Sequence, residues 1–205
     1  MAARESLTAC ILEMAEAETN PVLEILDFRE PLVENKKYPP ELLQFNQLGW
    51  RSYYHCHPAS RAGNHRFEGE HGHFHIFVRT QNDPEKWSHL VALSMNNMGQ
   101  PLGWFTVNHW VTGETWVDVD MLCKYLKIIP YDNPGLNKIV ERWLLSLLAI
   151  SRDKVEIVLY ERDKVLLQEQ QANKEIDIKK NKDIYLLSEI PINLIKLLEE
   201  NQDKI

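Results

Sequence analysis

The run Glu70-His71-Gly72-His73-Phe74-His75-Ile76-Phe77 alternates histidine with small or apolar residues. Only an extended chain gives that alternation a purpose, because successive side chains of a strand point to opposite faces. The period-2 geometry therefore predicts His71, His73 and His75 on one face and Gly72, Phe74 and Ile76 on the other. Upstream, Tyr53-Tyr54-His55-Cys56-His57-Pro58 repeats the His-x-His spacing. Six of the eight histidines lie between His55 and His75.

Imidazole is the commonest protein ligand for zinc, copper and iron, and His-x-His on a strand can aim two rings at one ion. Spacing limits the site. Adjacent members of the triad stand about 6.7 Å apart along a strand and the outer two about 13 Å. A single ion would then take one pair from His71, His73 and His75 and complete its shell with His55 and His57, or with Glu70. Matched alternation predicts that Tyr53–His57 and His71–Phe77 lie in one antiparallel sheet with their histidines on a shared concavity. Phe74 and Ile76 should then point into a core beneath the sheet, against a helix carrying Trp143 and Leu147. His65 and His89, each isolated in sequence, read as ordinary solvated residues.

Around this cluster the texture implies an α+β chain, with an antiparallel sheet in the first half packed against C-terminal helices. Leu7, Cys10, Ile11 and Met14 follow helical spacing, and Asn20-Pro21 ends that helix. Pro31 to Pro40 reads as loop. Strands are predicted near Leu48–Cys56, His71–Arg79, His89–Asn96 and Leu102–Asn108, with Met98-Gly99-Gln100-Pro101 as a hairpin connection. Val119, Leu122, Cys123 and Leu126 share a helical face. A longer helix is expected from Pro134 through Ile150 and on to Lys174, followed by a charged connector, a strand at Ile184–Leu187 and a short helix after Pro191. The expectation is one domain over 1–205: an N-terminal helix and loop (1–47), a histidine-rich sheet (48–116) and a mainly helical part (117–205).

Charge narrows the partners. Lys and Arg number 23 against 30 Asp and Glu, a net charge of -7. Without a basic run longer than a pair, the chain lacks the electrostatic footprint of a nucleic-acid binder, and no segment reaches the roughly 20 apolar residues that span a bilayer. The first 18 residues are acidic and amphipathic, unlike a signal or transit peptide. Cys10, Cys56 and Cys123 are scattered, as expected for a reducing, cytoplasmic setting. The expected partner is a small-molecule substrate, with no nucleic acid and no membrane.

Three blocks carry a resemblance: Tyr53–Pro58 with Glu70–His75; Ser88-His89-Leu90-Val91-Ala92-Leu93-Ser94-Met95; and Trp110-Val111-Thr112-Gly113-Glu114-Thr115-Trp116. In this order they resemble an uncharacterised bacterial domain-of-unknown-function family, over roughly Tyr53 to Ile190. The resemblance implies that His55, His57, Glu70, His71, His73 and His75 form one motif. It assigns no activity. Two departures are a longer loop between His57 and Glu70 and a histidine at His109 where arginine is expected.

In the third block the two tryptophans read as core anchors around a tight turn. Glu114 and Glu70 are the candidate catalytic carboxylates, as general base or further ligand. The leading reading is a metal-dependent enzyme using zinc or iron, with His55, His57, His71, His73 and His75 as candidate ligands. One alternative follows from the likeness of His71–Phe77 to the histidine-triad signature of nucleotide hydrolases and transferases, with His73 attacking phosphorus. Gly72 departs from that signature, and Glu70 would repel a phosphate. The other alternative is a metal-binding or sensing module without turnover.

Overall fold

The computed structural model describes residues 2–26, 33–45, 49–57, 67–80, 83, 85–133 and 138–200. Expectations at Leu48, Pro58, His65 and Pro134 to Leu136 fall outside these residues.

The strands are β1 (Tyr38–Phe45), β2 (Trp50–His55), β3 (Glu70–Arg79), β4 (Trp87–Asn96), β5 (Pro101–Val107) and β6 (Leu186–Pro191). They form one sheet in the order β1-β2-β3-β4-β5-β6, each pair antiparallel. The helices are α1 (Ala3–Glu16), α2 (Pro21–Leu26), α3 (His109–Thr112), α4 (Val119–Leu126), α5 (Ile139–Ile150), α6 (Arg152–Ala172) and α7 (Leu194–Glu200). The fold is α+β, as the sequence pattern implies. No helix among the described residues is long and apolar enough to cross a membrane.

One sheet face carries the main core. Tyr54, Phe74, Ile76, Val78, Leu93, Met95 and Trp104 are buried there with α5 residues Val140, Trp143, Leu144 and Leu147. The predicted contact is present: the rings of Phe74 and Trp143 lie 6.3 Å apart. Such burial stabilises by roughly 1.5–3 kcal/mol per large apolar side chain. The opposite face is covered too. Ala92, Phe105 and Val107 form a smaller buried cluster there, flanked by Phe67, Val111, Tyr185 and Leu186.

Three expectations are corrected. The Pro31–Pro40 loop ends early, because β1 begins at Tyr38. Pro39 and Pro40 are tolerated since β1 is an edge strand, where a missing N–H costs no ladder bond. The long helix is two helices broken at Ser151, whose hydroxyl donates to the Leu147 carbonyl (2.6 Å) and accepts from the Trp104 indole (2.8 Å). The continuous apolar period does not register a turn imposed by that tertiary bond. The last strand starts at Leu186 and extends to Pro191, so the sheet draws one strand from the mainly helical segment.

Candidate metal centre

The predicted sheet brings the two His-x-His segments together. Tyr53 pairs with His75, and His55 with His73, as neighbours on β2 and β3. His55, His57 and His73 each offer a ring nitrogen within 4.8 Å of the others, a separation that one metal ion could bridge. Nε2 of His55 and Nε2 of His73 are 2.7 Å apart. His73 is fully buried, whereas His55 and His57 are partly exposed, so the group opens outward on the β2 side.

Two of the three rings, His73 and His57, are steered by an outer partner. Nδ1 of His73 donates to Oε1 of Glu70 at 2.7 Å, and both groups are buried. Holding the proton on Nδ1 leaves Nε2 as the lone-pair nitrogen that faces His55. A carboxylate behind a ligating imidazole sets tautomer and orientation in this way. Nδ1 of His57 donates to Oδ1 of Asn35 at 3.2 Å. Asn35 takes a left-handed backbone (φ 61) and donates its own N–H to the Cys56 carbonyl at 2.9 Å.

Two bulges rearrange what strict alternation predicts. Along β3, Glu70 pairs with Asn96 and Gly72 with Met95, so His71 is the extra residue. A bulge inserts one residue against none opposite and reverses the facing of what precedes it. Glu70 thereby joins the face of His73, and His71 leaves it. The His71 Nδ1 meets the Tyr54 hydroxyl at 2.7 Å, and Tyr54 belongs to the main core. His71 is thus not brought together with His55, His57 and His73. Gly72 makes this possible, since a Cβ there would lie 2.5 Å from the Tyr54 hydroxyl and 2.6 Å from the His55 carbonyl. Burial lowers the His71 pKa below the ordinary imidazole range.

The second bulge is on β4. Ile76 pairs with Val91 and Phe77 with His89, so Leu90 is extra and joins Val91 in the main core. His89 turns to the histidine face, where its Nε2 lies 2.9 Å from Nδ1 of His75. The solvated reading of His89 is therefore wrong: it is buried against His75, Phe77 and the main histidine group's flank. His75 is buried beside His55 and His73, with ring centroids at 5.1 and 4.9 Å. Burial and then the surrounding imidazoles hold His75 well below the usual range, and burial chiefly, with Arg162 and His73, pushes His89 to about 3. Both rings are neutral near pH 7, so one donates and the other accepts.

Glu114 sits elsewhere. Its carboxylate forms an ion pair with the Arg51 guanidinium, which lies over the rings of Phe77 and Trp87. Nε2 of His109 donates to the Glu114 carbonyl at 2.7 Å and fixes the turn. The structure therefore joins Glu114 to Arg51 and not to the three converging histidines. Trp110 donates its indole N–H to the Ile184 carbonyl, and Trp116 lies between Arg162 and Lys179; neither is fully buried.

Sequence reasoning missed Asn35 and His89. Nothing local signals Asn35, which lies more than twenty residues from its partner. His89 is marked only by the apolar pair Leu90-Val91, too weak a cue for a bulge.

No curated protein and no solved structure matches this chain. The match to a known family runs from residue 1 to 192, so it takes in α1, α2 and β1 as well as the histidine blocks. The chain belongs to the family described as Domain of unknown function (DUF6969).

Proposed function

We propose that this protein is a metal-dependent enzyme acting on a small molecule, in which His55, His57 and His73 hold one transition-metal ion, zinc or iron. The observation that carries the reading is the convergence of three ring nitrogens within 4.8 Å, with the buried Glu70 carboxylate fixing the tautomer of His73. Glu70 acts in this reading as the residue that orients His73. His75 and His89 form the buried wall beside it. An ion held by three neutral imidazoles keeps its charge and has room for water or substrate, which supplies Lewis acidity.

Three ligands, two of them partly exposed, favour an enzyme over a closed storage or sensing site. A structural zinc site is normally filled by four protein ligands. The histidine-triad alternative is disfavoured on geometry. It needs His71 beside His73, and the bulge hands His71 to Tyr54.

The test is elemental analysis of protein purified without an affinity tag, beside single variants. About one equivalent of zinc or iron is expected in the parent protein, most of it lost in His73→Ala and kept in His71→Ala. Full metal content in a His55→Ala/His73→Ala double variant would overturn the assignment.

A further inference from the structure

We propose that the substrate of this site carries a carboxylate, and that Lys37 is the residue that recognises it; the inference rests on the metal reading of His55, His57 and His73. The first ground is charge. Three imidazoles contribute none, and Glu70, behind His73, adds a single negative charge next to the ligand set. A divalent ion there would stay undercompensated on its open side, where an anionic ligand is the favoured partner.

The second ground is where Lys37 stands. Its Nζ lies 4.4 Å from the centroid of the Tyr53 ring. That ring is in turn 5.5 Å from His55 and 5.3 Å from His75. Tyr53 and His55 alternate on β2 and share the face of the metal group. The ammonium is therefore posted on the rim, separated from the ligands by a single aromatic ring. Lys86, Lys138, Lys164 and Lys180 each sit in an ion pair with a carboxylate, whereas Lys37 rests on the face of the Tyr53 ring. An ammonium resting on a ring face gains less than one paired with a carboxylate, so it can exchange the first for the second.

The third ground is rigidity. Lys37 belongs to the short segment that presents Asn35 to His57, and this segment is tied to the end of β2 through the Cys56 carbonyl. One frame thus sets both a metal ligand and the cation. A single ammonium beside the metal suits a monoanionic carboxylate better than a phosphate dianion. The other cation on this face of β2, Arg51, is already paired with Glu114.

The experiment uses cobalt(II)-loaded protein, whose visible absorption reports ligands entering the metal shell. Acetate, inorganic phosphate and imidazole are titrated into the parent protein, Lys37→Met and Lys37→Arg. Acetate should bind the parent protein and perturb the spectrum. Lys37→Met should weaken acetate roughly tenfold or more, the effect of losing one charge-assisted hydrogen bond. Lys37→Arg should retain most of it. Affinity for cobalt and for neutral imidazole should be the same in all three. Equal acetate affinity in Lys37→Met would overturn the proposal, as would a loss of cobalt affinity in that variant, which would make Lys37 structural. Phosphate binding more tightly than acetate, with the same dependence on Lys37, would replace the carboxylate by a phosphoester. Failure of the parent protein to take up cobalt would bring down the metal reading itself, a result distinct from the others.

Discussion

Glu70 and His73 are three residues apart on one strand, yet Oε1 of the first lies 2.7 Å from Nδ1 of the second. In a regular strand, residues at i and i+3 face opposite ways. The bulge at His71 removes that obstacle and converts an acidic residue at the strand's start into the orienting partner of a buried imidazole. Glu70→Gln should weaken metal binding by about 10–100-fold, the range for losing such an outer partner, with little change in fold. Competition against a chromogenic chelator measures it, and unchanged affinity would reduce Glu70 to a bystander.

His71 provides the contrast. Its ring is engaged with Tyr54 and stands apart from the converging nitrogens. His71→Ala should keep its metal and lose about 0.5–1.5 kcal/mol of stability, the net contribution of one hydrogen bond. Metal analysis together with urea denaturation checks both parts. Metal loss matching that of His73→Ala would place His71 back among the ligands.

The two sheet faces should respond differently to truncation. Phe74 is fully buried against Trp143, so Phe74→Ala should cost about 3–5 kcal/mol once the cavity is counted. His73→Ala should change metal content far more than it changes the stability of the metal-free fold. If the metal-free protein tolerates Phe74→Ala and collapses with His73→Ala, the roles of the two faces are the reverse of those described here.

Acid should weaken the metal-free protein through His75 and His89. Both have pKa values depressed by burial, His89 to about 3, whereas an unfolded histidine titrates near 6.5. Between these values the unfolded chain binds more protons, so stability rises with pH across that window and is lost as pH falls below about 6.5. His89→Gln removes one titrating ring while keeping a hydrogen-bonding side chain. Its stability should depend less steeply on pH between 7.5 and 5 in chemical denaturation; an unchanged slope would show that His89 does not contribute.

Gly72 is required where it stands. A methyl group there meets the Tyr54 hydroxyl and the His55 carbonyl at 2.5 and 2.6 Å. Gly72→Ala should cost about 1–3 kcal/mol, as for other overpacked sites, and should disturb His55 enough to lower metal affinity. A variant as stable and as metal-replete as the parent would show that β2 and β3 can separate there at no cost.

Much of the sheet was legible because alternation is a local property. Four strands, their antiparallel pairing across Tyr53–His57 and His71–Phe77, and the core direction of Phe74 and Ile76 all follow from period-2 spacing and apolar burial. Helix α4 and the apolar stripe of α5 follow from period 3.6 in the same way. The strand Tyr38–Phe45 was hidden because its prolines signal a loop; they are acceptable because the strand lies at the sheet edge and its register with β2 is interrupted between Tyr38 and Leu43.

The sequence by itself determined that a histidine cluster gathers along two paired antiparallel segments, and that His55, His57 and His73 are in it. Tertiary structure alone decided which neighbours join them. Bulges at His71 and Leu90 exchange His71 for Glu70 and bring in His89, and the turn at Asn35 reaches His57. The physical reason is range. Side-chain alternation is written into each residue's backbone geometry, whereas a bulge arises where two strands of unequal residue count are forced into one register. The count on the partner strand is invisible from either strand read alone.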